Sequence, residues 1–158
     1  MGEGVKKGAT IVSSQQQLCT FYVDGLFFGV DVQKVQEVIR YQEMTQVPLA
    51  SRVVQGLINL RGQIVTAIDL RRRLELNERE AGQLPMNVVI RTEDGPVSLL
   101  VDEIGDVMEV EAEAFERPPE TLRGVARELI RGAYKLEDRL LLTLDSDRTV
   151  CLATNPIE

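Results

Sequence analysis

Enzymes need groups that exchange protons, hold metal ions or attack carbonyl carbon, and this chain offers few of them. It contains no histidine. That excludes Ser-His-Asp and Cys-His nucleophile systems and removes the commonest metal ligand. Carboxylates gather at Asp102, Glu103, Asp106 and Glu109. Asp102 and Asp106 stand at i, i+4, a spacing that on a helix could share a divalent ion. A metal-dependent small-molecule enzyme using residues 102–109 is the activity that would follow. The calcium-loop pattern, with its Gly and terminal Glu, is absent. The segment reads instead as the solvated face of a short amphipathic helix, opposite Ile104, Val107 and Val110. Sugar hydrolysis by a pair of these acids fits poorly with 4% aromatic residues and no Trp, because sugar sites need stacking surfaces. No Walker A motif occurs, and Gly2-Glu3-Gly4 is the sole G-x-G.

Cys19 and Cys151 form no CxxC pair and no metal spacing. Each lies in an apolar run (LCTFYV, TVCLA) and reads as a small buried hydrophobe, at home in a reducing cytoplasm. Arg71, Arg72 and Arg73 form a short basic run. With Glu75, Glu78 and Glu80 nearby, it reads as a solvated face. Arg61 differs. It occupies a two-residue turn, Arg61-Gly62, where Gly, Asn or Asp is preferred at both positions. Gly62 satisfies that preference and Arg61 does not. Arg61 therefore either points into water or is held out for a partner, since arginine often dominates interfaces.

The elements that must position these residues are short and β-rich. Leu18–Val23 reads as a strand, and Asp24-Gly25 turns it into LFFGV as a hairpin. Asp31 is placed to cap a short helix with Val32, Val35 and Ile39 on one face. Residues 57–60 and 64–68 read as strands joined by Arg61-Gly62, and Asp69 is placed to cap a turn over LRRRL. The plan then repeats: VVIR meets Asp94-Gly95, PVSLLVD follows, and GAYKLEDRLLLTLD turns near Glu137-Asp138. After each Asp-Gly hairpin comes Val-Asp, at Val30-Asp31 and Val101-Asp102. Two similar β-rich lobes are expected, built as small barrels or sandwiches and joined near Asn77–Pro85.

With 158 residues, the chain is long enough for one domain with a substantial core. Its net charge of −7 argues against nucleic acid and anionic lipid as partners. No apolar run approaches the roughly 18 residues of a membrane span, so direct membrane insertion is not expected. Residues 1–15 read as a flexible polar tail, and 16–158 as a single domain with lobes of about 16–80 and 85–150.

GLINLRGQIVTAIDLRRRL, residues 56–74, resembles the signature of the bacterial chemotaxis coupling proteins, the CheW family. FGVDVQKVQEVI is similar to the family's first lobe, and LLVDEIGDVMEV and GAYKLEDRLLLTLD to its second. The resemblance covers roughly residues 16–147. It implies a mainly β fold of two five-stranded barrels around a shared hydrophobic core, with short helices. It also implies a non-enzymatic, cytoplasmic adaptor, without cofactor or metal, recruited to membrane-associated receptor arrays. The partners implied are the cytoplasmic tip of chemoreceptors, the regulatory domain of the histidine kinase CheA, and other CheW-like domains. By the same resemblance Val35, Glu37, Gly56, Asn59, Arg61 and Gly62 face the receptor, while Ile104 and Val107 serve the receptor or kinase surface. Core packing for Val35, Ile104 and Val107, and backbone geometry alone for Gly56 and Gly62, are the competing roles. The end, LDSDRTVCLATNPIE, departs from the family's leucine-rich C-terminal element. A paralogue serving pilus motility or another chemosensory pathway is the alternative.

Overall fold

The computed structural model describes residues 15–151. The expected tail lies outside these residues, apart from Gln15, which opens the first strand. Eleven strands form two sheets among the described residues: β1 (Gln15–Val23), β2 (Leu26–Asp31), β3 (Val35–Ile39), β4 (Val54–Leu60), β5 (Gln63–Asp69), β6 (Met86–Ile90), β7 (Val97–Val101), β8 (Glu103–Glu111), β9 (Phe115–Glu116), β10 (Ile130–Lys135) and β11 (Leu140–Leu144). Three short helices accompany them: α1 (Leu70–Arg73), α2 (Gly124–Leu129) and α3 (Ser146–Val150).

The six-stranded sheet runs β8-β1-β2-β11-β10-β9, and the five-stranded sheet runs β3-β6-β7-β5-β4. Each is built on one plan. A hairpin (β1–β2 or β6–β7) lies parallel to the inner strand of a second hairpin (β10–β11 or β4–β5), and one further strand, β8 or β3, flanks the first. That further strand comes from the other half of the repeat. The chain leaves β2 at Val30-Asp31 and joins the five-stranded sheet as β3; it leaves β7 at Val101-Asp102 and joins the six-stranded sheet as β8. The repeated Val-Asp thus marks the two places where a strand is handed across. The sheets accordingly do not divide at residues 80–85, because β6 and β7 complete the sheet begun by β3–β5. The sheets curl, but their ladders remain open, with β8 and β9 as edges of one and β3 and β4 of the other.

Three apolar clusters follow. The largest lies between the sheets, with Phe21, Val23, Phe28 and Val30 against Ile68, Val88, Ile90, Leu99 and Val101. Ile58, Leu60, Val65, Ala67, Val89 and Leu100 fill the curl of the five-stranded sheet. Leu18, Phe27, Val110, Tyr134 and Leu141 fill the other.

Two expected helices are strands. Of the first, Val32–Lys34 alone is helical, as one turn of 3-10 helix, and Asp31 caps it by accepting from the Gln33 amide at 2.9 Å. From Val35 the β-branched residues continue as β3, because they gain a ladder with β6. Residues 103–111 form the edge strand β8. Its alternation puts Ile104, Met108 and Val110 toward apolar clusters and leaves Val107 54% exposed. The spacing by threes suits a helix, but the ladder with β1 makes the segment a strand. The hairpins were read correctly, with one difference. Asp24-Gly25 is a two-residue turn with both φ positive (52° and 79°), whereas the second hairpin pairs Ile90 with Val97 across a six-residue loop, in which the Gly95 amide donates to Thr92 O. Cys19 is only partly buried and Cys151 is exposed, so neither is the buried hydrophobe expected.

Candidate partner-binding site

The Arg61-Gly62 turn joins β4 to β5, with Leu60 paired to Gln63. Both turn residues have positive φ, 53° at Arg61 and 89° at Gly62. A non-glycine residue held there costs on the order of 1 kcal/mol or more, and such strain gathers at functional sites. Asn59 steadies the turn: its Oδ1 accepts from the Gly62 amide at 2.8 Å.

The Arg61 guanidinium reaches back to Glu37 on β3, donating from Nη1 to Oε1 at 3.1 Å and from Nη2 to Oε2. These two residues belong to opposite edges of one five-stranded sheet. In a flat sheet those edges would stand about 19 Å apart, at ~4.8 Å per strand. The ion pair therefore closes the seam of a strongly curled sheet. Arg61 remains 67% exposed while Glu37 is 23% exposed, so the cation still offers a face to a partner. Hydrogen bonds from Arg61 and then Gln36 hold the Glu37 carboxyl below its ordinary range.

Gly56 lies further along β4. A Cβ there would meet Thr45 O at 2.7 Å and Met44 Cβ at 3.0 Å. The segment after β3 crosses β4 at this point, and Thr45 and Leu57 exchange amide hydrogen bonds of 2.9 and 2.8 Å. Gly56 thus admits the second tie across the seam. Along the same hairpin Ile64, paired with Asn59, is 61% exposed, and it lines an open cleft of mixed polarity with Met44, Leu57, Gln42 and Glu43.

A CheW-like domain matches residues 17–151. The chain is a member of the CheW-like family. It is 31% identical to the chemotaxis protein CheW of Treponema pallidum over 135 residues, 83% of this chain and 79% of that protein. It is 32% identical to the CheW of Bacillus subtilis over 136 residues, 86% and 87% of the respective chains. The crystal structure of the scaffolding protein TtCheW from Thermoanaerobacter tengcongensis shares the fold, with a TM-score of 0.73 at 23% identity, covering 82% of this chain and 88% of that one.

In this CheW-like domain the expected site residues separate into groups. Glu37, Asn59, Arg61 and Gly62 come together at the turn, with Gly56 supporting the same seam. Val35 and Ile104 pack against the rim of the inter-sheet core, from β3 and β8 respectively. Val107 stands exposed on β8, in the other sheet.

The sequence reading missed a buried charge cluster. Arg71, expected in solvent, has a side chain only 10% exposed, and that of Asp102 is 9% exposed. Arg71 grips Asp102 with both arms of its fork, Nε to Oδ1 at 3.1 Å and Nη2 to Oδ2 at 2.6 Å. Its Nη1 donates to Asn77 O and Glu78 O. The Asp24 amide also donates to Asp102, at 2.7 Å. Arg79 adds charge, with Nη2 3.3 Å from Asp102 and 3.6 Å from Asp69. Burial pushes the Asp102 carboxyl upward, but the Arg71 hydrogen bonds, the Asp24 amide and the two cations outweigh it and hold the group below its usual value. Asp102 is therefore committed to an ion pair, and no cluster of metal-ligating side chains occurs among the described residues. The repeated Val-Asp was the available signal, since it showed Asp102 in a position equivalent to the capping Asp31.

Proposed function

We propose that this CheW-like domain is a non-enzymatic adaptor that couples the cytoplasmic tips of chemoreceptors to the histidine kinase CheA. The family match over residues 17–151 supports the chemotaxis role. The observation that carries the receptor-facing assignment is Arg61, kept on a strained turn and two-thirds exposed while answered by a single carboxylate. Arg61, Glu37, Asn59 and Gly62 form the charged part of the receptor surface, and Ile64 offers an apolar neighbour. The regulatory domain of CheA binds elsewhere, and other CheW-like domains are further partners. Among the described residues no helix is long and apolar enough to cross a membrane, which fits recruitment to the array by protein contacts.

A calorimetric titration with a receptor-tip fragment, then with the kinase regulatory domain, tests this reading. Arg61→Ala should lose receptor affinity and keep kinase affinity. A folded Arg61→Ala variant that binds the receptor tip as well as the parent chain would overturn the assignment.

A further inference from the structure

The two sheets are joined covalently by only two crossings among the strands of the repeat, at Asp31 and at Asp102. Between them lies an apolar core. Apolar packing is non-directional, so on its own it permits small sliding and rotation of one sheet on the other. Hydrogen-bonded ion pairs are directional. The Asp31 crossing is held by the cap on Gln33, a hydrogen bond from Gln16, bonds from Arg91 to the Gln33, Lys34 and Val35 carbonyls, and a Lys34–Asp147 ion pair that is exposed and so screened by solvent. The Asp102 crossing is a single residue between β7 and β8, and it is fixed from three directions. Arg71 reaches it from α1, which follows β5 of the five-stranded sheet; the Asp24 amide reaches it from the β1–β2 turn of the six-stranded sheet; Arg79 reaches it from the 75–85 connection.

We propose that Asp102 and Arg71 are positioning residues that set the registration of one sheet on the other. Buried ion pairs often add little net stability compared with apolar replacements, and in some proteins what they supply is a single specified arrangement. This cluster has the geometry for that task. It joins both sheets at the point where the chain itself crosses, and Asp102 lies two residues before Ile104. The consequence for partners rests on the proposed function: Glu37, Asn59 and Arg61 lie on one sheet and Ile104 and Val107 on the other, so the registration fixes how the two groups face a common partner.

The test needs no partner, so it fails or succeeds independently of that reading. In a background of Cys19→Ala and Cys151→Ser, nitroxide labels at Ile64→Cys and Val107→Cys report the distance between the sheets. The unaltered cluster should give one narrow distance distribution. Arg71→Met with Asp102→Leu, which removes both charges together, should retain folded secondary structure and give a broadened or doubled distribution. Val65→Ala, in the cluster inside the curl of the five-stranded sheet, serves as a destabilised control and should stay narrow. If the double variant does not unfold cooperatively, Arg71→Lys carries the test, because it keeps the charge and loses the fork. It should broaden the distribution in the same direction. A distribution as narrow as the parent's in the folded cluster variant, or equal broadening in Val65→Ala, would overturn the proposal.

Discussion

Replacing Arg71 alone with Met should be among the most damaging single changes in the chain. Met keeps much of the aliphatic stem and removes the guanidinium. Asp102, with a side chain 9% exposed, then loses two charge-assisted hydrogen bonds, and the carbonyls of Asn77 and Glu78 lose their donor. Breaking a buried pair from one side costs about 3–5 kcal/mol, because the remaining charge is stranded. Arg79 stays 3.3 Å from Asp102 and compensates in part, which places the cost near ~3 kcal/mol. For a domain of this size each kcal/mol lowers Tm by roughly 2–4 °C, so the midpoint should fall by about 6–12 °C. Thermal and urea unfolding, each followed by circular dichroism, measure this directly. A loss of less than ~2 °C would show that Arg71 is solvated and that the buried cluster contributes nothing of this size.

Arg61→Ala should leave Tm close to the parent's, since an exposed ion pair is screened by solvent and adds little to stability, while receptor-tip affinity falls roughly 5–30-fold in calorimetry. Arg61→Asn, better suited to positive φ at a two-residue turn, should match or slightly exceed the parent in urea unfolding and bind the receptor tip as weakly as Arg61→Ala. Gly56→Ala should cost about 1–3 kcal/mol in the same unfolding assay by forcing Thr45 away from β4, and should speed amide exchange at Thr45 and Leu57. Acid should also act through Asp102. Its folded value lies below its unfolded one, so its contribution is fully present above about pH 4 and is lost as pH falls through the folded value. Asp102→Asn should therefore flatten the decline in stability as pH falls below about 4; an unchanged slope would refute the linkage.

Local chemistry was legible in the sequence where one short stretch decides it. Asp24-Gly25 and Arg61-Gly62 announced tight turns because so few residues tolerate positive φ. Asp31 and Asp69 announced caps, and both accept amide hydrogen bonds two residues on. What depended on distant pairing was read less well. Val35–Ile39 and the Ile104, Val107, Val110 spacing suit a helix in isolation, and only the ladders with β6 and β1 make strands of them. The sorting of strands into sheets was equally hidden, because each repeat gives one strand to its neighbour. Arg61 stood out as a residue that its turn does not favour, and the turn does hold it at a positive φ of 53°. Its tie to Glu37 could not be foreseen, since it depends on the curl of the whole sheet. Arg71 was misjudged because three consecutive arginines in an acidic setting look solvated, and its partner Asp102 lies 31 residues away.

An adaptor of this kind must hold two partners at once on one small domain. The most direct test is a sequential titration, in which the receptor-tip fragment is added to the chain already saturated with the kinase regulatory domain. A ternary complex should form, with receptor affinity retained in the presence of the kinase domain and lost in Arg61→Ala. Displacement of the kinase domain by the receptor tip, one partner leaving as the other binds, would contradict it.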